Sequence, residues 1–432
     1  MKIDLPFGNA SLPVEIPDEK VCGIAKPKDF PAPADAGMII RGALAHPIGA
    51  DPLLSVASRG SKIAIVVDDQ TRPSPTKDMI APVLEELKKA GVRDEDITII
   101  FAVGTHRQTE PDEARRLLGR DVSAKYRWIA GDCKKDEDFI SVGRTSRGND
   151  IRIFRPYAEA DVKVMLGDIE YHYFAGYGGG RKSILPGISH YSTIQFNHKL
   201  MFSPTGRENC RIGVLNGNPI NADMVEALRL VGCDLCLNAV LNSKGQVFAA
   251  FAGMPDQVLR NGAAIVDQMY KVQVKEKADI IVVSPGGAPH DISLYQSEKA
   301  IESAMPALSE GGIVILAAEC REGAGSDAYC EWMKKYSCSG DMEKELRREF
   351  VIGTHKAYYH RRALEKARLF LCSSMDKTLA KDVFGMESFA SVTEALAMAM
   401  HDSPGKVLVV PYGASTLLSV ETSEQKQAEA GQ

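Results

Sequence analysis

Lys62-Ile63-Ala64-Ile65-Val66-Val67-Asp68-Asp69-Gln70-Thr71-Arg72-Pro73 decides the fold. The run from Ile63 to Val67 has no polar interruption. It reads as a strand buried on both faces, because a strand with one wet face would alternate. The helix that follows is expected to be capped by Thr76 and to end near Ala90-Gly91. Met79, Ile80, Val83, Leu84 and Leu87 fall on one face of it, and Glu85 with Lys89 forms an i,i+4 pair. Residues 97–103 and 162–166 repeat the strand pattern. Strands alternating with helices predict an α/β fold with parallel-rich sheets flanked by helices.

A second series of the same kind starts after about Lys275, with strands at 279–283, 312–317 and 369–372 and a helix at 296–308. A last strand is expected at 406–410, and the polar tail 421–432 is expected to fray. The opening segment, to about Pro17, reads as a hairpin turning at Gly8-Asn9, and a Pro/Ala-rich link runs over 26–36. The expected domains are 1–275, with or without 405–432 to complete it, and 276–404.

With 432 residues the chain has room for two or three domains. Its 52 basic residues against 57 acidic ones offer no electrostatic footprint for nucleic acid. No apolar run is long enough for a membrane span, and the N-terminus carries no basic-then-apolar signal pattern, so a cytoplasmic location is the default expectation. The nine cysteines are scattered. Cys233 and Cys236 have the spacing of a redox or zinc motif, but they lie in a strand-like run with no second pair, and they read as buried small hydrophobes.

The polar clusters all follow strands. Asp69 and Arg72 lie in the turn after the first strand, Gly104-Thr105-His106-Arg107 after the second, and Tyr171 to Lys182 after the third. Pro285-Gly286-Gly287 through Lys299 follows the first strand of the second series. Ligands of open α/β sheets bind beyond the carboxyl ends of strands, so these clusters predict an active site in the cleft between the domains. Asp69 and Arg72 read either as a local ion pair or as a bidentate clamp for a carboxylate or phosphate. His106, His172 and His198 are each candidates for acid/base work or metal ligation, against a structural role for any one of them alone. Gly178, Gly179 and Gly180 lead to Lys182, which suits a phosphate contact or covalent attachment, or else an ordinary surface position. Their spacing is not that of a dinucleotide fingerprint. Gln296 and Lys299 share a face at the start of a helix behind a Gly-Gly turn, as at a ligand-binding helix N-terminus. Asn216-Gly217-Asn218-Pro219 reads as a turn before a helix.

Taken together, these motifs resemble the nickel-dependent lactate racemase family. The resemblance rests on 68–73, 104–107, 172–187, His198, Gly217-Asn218-Pro219, and Tyr295-Gln296 with Lys299, and it covers nearly the whole chain. It implies two α/β domains with the site between them. It also implies a racemase or epimerase of 2-hydroxy acids that uses a nickel pincer nucleotide, nickel pyridinium-3,5-bisthiocarboxylic acid mononucleotide. By matching position, Lys182 would carry that group covalently and His198 would ligate nickel. His106 and His172 would be the acid/base pair, and Arg72 and Lys299 the substrate and site cations. Asp69, Gly178, Gly179, Gly180, Tyr295 and Gln296 would line the cofactor pocket. The implied partners are a 2-hydroxy acid and the cofactor-maturation enzymes, with no nucleic acid and no membrane; self-association is left open. Two other readings of the residues are a three-histidine zinc hydrolase and a non-catalytic sensor or carrier of a phosphorylated ligand.

Overall fold

The computed structural model describes residues 1–421 apart from Ala34 and Ile352, so the tail expected to fray lies almost wholly outside the described residues. The chain forms two compact units, Asp29–Met269 in one and Met1–Lys28 with the chain from Tyr270 onward in the other.

The unit built on 29–269 holds a six-stranded sheet. Its order is Val247–Gly253, Leu235–Leu241, Val162–Asp168, Ile63–Asp68, Ile97–Ala102, Arg127–Ala130. All neighbours are parallel except the first pair, where Val247–Gly253 runs antiparallel along one edge. Ile63 to Val67 are buried on both faces, as their unbroken apolar run requires. The Thr76–Lys89 helix lays Met79, Ile80, Val83, Leu84 and Leu87 into that core. Thr76 is not its cap. Pro75 holds that position, and the Thr76 hydroxyl is buried as the first helical residue. Three adjacent strands, Val162–Asp168, Ile63–Asp68 and Ile97–Ala102, end side by side, which brings their three polar turns together.

The other unit holds a second six-stranded sheet, all parallel: Glu387–Phe389, Arg368–Cys372, Leu308–Ala317, Ala278–Val283, Val407–Val410, Val21–Ile24. The division differs from the expected 1–275 and 276–404 at both ends. Val21–Ile24 adds an edge strand beside Val407–Val410, so the opening segment and the last strand both belong to this unit. The opening hairpin, Lys2–Phe7 with Ala10–Glu15, packs Leu5 and Val14 into the same core. The helix expected at 296–308 is Leu294–Ala304, after which a short 3-10 turn leads into a strand that begins at Leu308.

Cys236 is fully buried on its strand, and all nine cysteines are free thiols. Among the described residues no helix is long and apolar enough to cross a membrane.

Candidate active site

The turn after Ile63–Asp68 presents Asp69 with its carboxylate buried. Its Oδ1 accepts from the Thr71 hydroxyl at 2.7 Å and from the Thr71 amide at 3.1 Å. Its Oδ2 lies 2.7 Å from His106 Nδ1. Burial alone would raise this carboxyl. The bonds from His106 and Thr71, with the charge of Arg72, carry it below the usual carboxylate range. An ionised Asp69 fixes the proton of His106 on Nδ1 and turns the Nε2 lone pair outward on a ring that is 46% exposed. The loop beneath His106 is tied down by the Gly104 amide, which donates to the Gly187 carbonyl at 2.8 Å. Gly187 in turn donates to the Lys182 carbonyl at 3.0 Å.

Beyond Val162–Asp168 the chain makes a small two-stranded ribbon in which Tyr171 pairs with Tyr177 and His172 with Gly176. The Tyr171 and Tyr177 hydroxyls both donate to Asp267 Oδ1, at 2.7 and 2.6 Å, so Tyr177 serves to anchor the ribbon. The Ala175 amide donates to His172 Nδ1 at 3.2 Å, which places the ring proton of the neutral imidazole on Nε2.

Phe174, in the middle of this ribbon, gathers the rest. Its ring is edge-on to His172 at 4.5 Å and to His198 at 4.9 Å between centroids, and Lys182 Nζ stands 6.0 Å from its centre. The structure therefore brings His172, Lys182 and His198 around one buried aromatic ring. His198 sits on the Tyr191–Lys199 helix, and burial, helped by the charge of Lys182, pulls its imidazole down to about 3. That histidine is a neutral base, the form in which imidazole binds a metal. The helix is held in register by Asn197, whose amide donates to Asp223 Oδ2 at 3.0 Å and to the Ile220 carbonyl at 3.1 Å.

The glycine turn owes its sequence to backbone geometry. Gly179 has φ 74°, and a Cβ there would meet the Asp168 carbonyl at 2.8 Å and Asn238 Oδ1 at 2.9 Å. Two of the three N–H groups expected to face an anion are committed inside the chain. Gly178 donates to the Glu170 carbonyl at 2.8 Å and Gly180 to Asn238 Oδ1 at 2.7 Å.

Arg181 supports the same turn from below. It is 1% exposed, and its guanidinium donates to the carbonyls of Ala175, Tyr177, Gly178 and Gly179 and to Asn221 Oδ1. Burial lowers it to about 9, still far enough above neutrality for the charge to remain. Asn218 caps the Pro219–Val231 helix through its side-chain oxygen and donates to the Phe174 carbonyl at 2.8 Å. Asn218 stands in the turn before a helix that the sequence led one to expect, whereas the supporting roles of Phe174, Arg181 and Asn238 escaped the sequence reading. Arg181 alone left a signal there: a cation inside an apolar, glycine-rich run with no acid beside it.

Arg72 already meets a carboxylate of the chain through one of its nitrogens. Its Nη1 donates to Glu170 Oε1 at 3.0 Å, and Asp68, Asp69 and Asp168 also face it.

Tyr295, Gln296 and Lys299 belong to the other unit. They lie on the partly exposed side of the Leu294–Ala304 helix, while Glu298 turns inward to a buried 2.6 Å ion pair with Lys356. The Tyr295 hydroxyl is pushed up to about 12 by burial and then by Glu298. This helix start differs from the ligand-binding terminus that was expected. The Leu294 and Tyr295 amides donate to the carbonyls of Gly323 and Ala324 at 2.9 and 3.1 Å.

Among the described residues no group of three or more His, Cys, Asp or Glu is placed to hold a metal ion, which leaves the three-histidine zinc reading without a site.

Comparison with known proteins gives the family and the fold. The family model for the lactate racemase N-terminal domain matches residues 7–209, and that for the lactate racemase C-terminal domain matches residues 273–418. A lactate racemase from Thermoanaerobacterium thermosaccharolyticum is 31% identical over 425 residues, covering 96% of this chain and 99% of its own. One from Lactiplantibacillus plantarum is 31% identical over 329 residues, 76% of this chain and 77% of its own. The solved apoprotein of the Thermoanaerobacterium enzyme superposes with a TM-score of 0.89 at 32% identity, covering 97% of this chain and 100% of its own. A Thermotoga maritima protein at 15% identity and a TM-score of 0.69, covering 89% of this chain and 98% of its own, shares the fold.

Proposed function

Because this chain belongs to the lactate racemase family and is therefore a racemase, an isomerase, we propose that it interconverts the enantiomers of lactate or a close 2-hydroxy acid. In this reading it works with a nickel pincer nucleotide joined to Lys182. The observation that carries the reading is the gathering of His172, Lys182 and His198 around the Phe174 ring.

The residues present suit such a group. His198 is a neutral, buried imidazole beside the lysine that would carry the adduct. A single histidine ligand suffices where the nucleotide supplies the other donors to nickel, so the lack of a larger metal cluster among the described residues is no obstacle. Asp69, Gly178, Gly179, Gly180, Tyr295 and Gln296 keep the cofactor-lining roles that their motif positions imply. When bound, the group supplies an acceptor for the Cα hydrogen and its electron pair, which avoids removing a weakly acidic Cα proton as such.

The chain's own residues do the rest. His106 offers the Nε2 lone pair that takes the hydroxyl proton, and Asp69 stabilises the imidazolium that results. His172 hydrogen-bonds the oxygen of the planar keto acid through Nε2–H, and as the hydrogen returns to the other face the protonated form of His172 gives that oxygen its Nε2 proton and becomes the neutral ring. For the opposite enantiomer the two exchange duties, which is why two imidazoles are needed. Arg72 and Lys299 bind the carboxylate and keep the keto acid from leaving while its other face is presented. Enzymes that build the cofactor are required partners.

The test is to produce the protein with and without those maturation enzymes. With them, Lys182 gains the nucleotide mass, nickel copurifies, and a chiral assay shows each lactate enantiomer turning into the other. An unmodified mass and no nickel in their presence would overturn the reading.

A further inference from the structure

One guanidinium, that of Arg72, faces four carboxyl groups: Asp68, Asp69, Asp168 and Glu170. Three of them are accounted for. Asp69 is committed to His106 and Thr71. The Asp168 amide donates to Asp68 Oδ2 at 3.3 Å, and burial pushes both carboxyls upward, Asp68 to about 6 and Asp168 well above the usual range, so the pair retains a proton. Glu170 is left as the exchangeable partner. It meets Arg72 through one oxygen on one nitrogen, and the two side chains are 28% and 34% exposed. A guanidinium prefers to hold a carboxylate by two parallel bonds, so this contact leaves Arg72 only partly used. Half-exposed ion pairs of this kind are weak and exchange readily.

Gly178 gives the Glu170 side chain its space. Gly178 has no left-handed φ to explain it, and a Cβ there would stand 3.2 Å from Glu170 Cγ. A substrate carboxylate added while Glu170 stayed would place a third anion, beside Asp69 and Glu170, around one cation, a repulsion that replacement avoids.

We propose that Glu170 is a resident carboxylate for Arg72 and that the carboxylate of the 2-hydroxy acid displaces it on binding. The inference rests on the assignment of Arg72 to the substrate carboxylate. It makes Glu170 a specificity residue: a substrate lacking the negative charge does not displace it.

The test compares lactate KM and kcat in cofactor-loaded wild type, Glu170→Gln, Glu170→Asp, Arg72→Ala and Arg72→Ala/Glu170→Gln, with loading of Lys182 confirmed by mass in each. Glu170→Gln is expected to lower the lactate KM by about threefold to fivefold, the size a half-exposed ion pair carries, with the change in KM rather than kcat. Glu170→Asp, which keeps the charge but retreats from Arg72, moves KM the same way by less and stands in if the glutamine variant does not fold. In the Arg72→Ala background the Glu170→Gln effect disappears. A raised KM in Arg72→Ala with an unchanged or raised KM in Glu170→Gln, or an effect that persists without Arg72, overturns the exchange alone. An Arg72→Ala enzyme with wild-type KM overturns the assignment of Arg72 and the exchange with it.

Discussion

His106 and His172 follow the two strands that flank Ile63–Asp68, yet they are held by different means. His106 leans on a buried carboxylate, a charge that orients the ring and fixes its tautomer. His172 is met by a backbone amide, which sets its tautomer but adds no charge. The first is ready to take a proton at Nε2 and the second ready to give a hydrogen bond there. For His172 to become the base, its ring proton must move to Nδ1, at the expense of the Ala175 bond. The enantiomers of lactate have equal free energy, so kcat/KM is the same in both directions at every pH. The asymmetry between the histidines therefore shows only in kcat and KM taken separately.

The largest expected effect strikes both regions. His106→Ala and His172→Ala each remove a proton-transfer group, and His106→Ala should cost about a thousandfold in kcat. Steady-state assays in both directions check this. The comparison breaks if the two variants lose equal activity in each direction and change kcat and KM alike.

Asp69→Asn sharpens it. The ring stays hydrogen-bonded but loses the charge beneath it, so kcat should fall by about a hundredfold. Lactate KM should change little, because the lost charge acts on the proton and not on the substrate carboxylate. An unchanged kcat would show that Asp69 does no more than hold the ring.

The two regions also differ in how far the sequence disclosed them. The Asp69 to His106 pairing was open to view in outline. An unbroken apolar strand leading to an Asp-x-x-Arg turn, and a second leading to Gly-Thr-His, place both turns at one sheet end once the strands are known to be parallel. The turn over 171–187 showed its chemistry but not its support. Arg181 reads as one more base beside Lys182, and only its carbonyl partners reveal that it shapes the turn. Asn238 and Asn218 reach the turn from far along the chain, and such long-range bonds leave no local pattern. The same limit explains the domain boundary. Val21–Ile24 is too short to announce that it completes a sheet whose other strands begin beyond residue 270.

Gly179→Ala tests the geometric side of the contrast. The added methyl meets a carbonyl at 2.8 Å and requires a left-handed φ from an L residue, so about 2 kcal/mol of stability should be lost. Gly178→Ala meets only the flexible Glu170 side chain and should cost less. Urea denaturation of the unloaded proteins measures both. If Gly178→Ala costs as much as Gly179→Ala, the turn is not held by backbone constraint in the way its contacts indicate.

The smallest effect separates Asp68 from Asp69, neighbours in sequence that are driven in opposite directions. Asp69 lies below its ordinary range when folded, so its contribution is present at neutral pH and is lost as pH falls through the folded value. Asp68 is raised by burial to about 6, so the folded chain keeps a proton there that the unfolded chain has given up. Its contribution is therefore full below about pH 4 and disappears as pH rises through about 6. Wild type measured against Asp68→Asn should lose about 1 kcal/mol of relative stability between pH 4.5 and 7.5, after allowance for partial exposure. Against Asp69→Asn it should stay level across that range and lose stability only below about pH 4, as pH falls toward the folded value. Two urea series across pH decide the matter. Parallel slopes would mean that the adjacent carboxyls share one environment, and that the charge under His106 is not kept apart from the proton held beside Arg72.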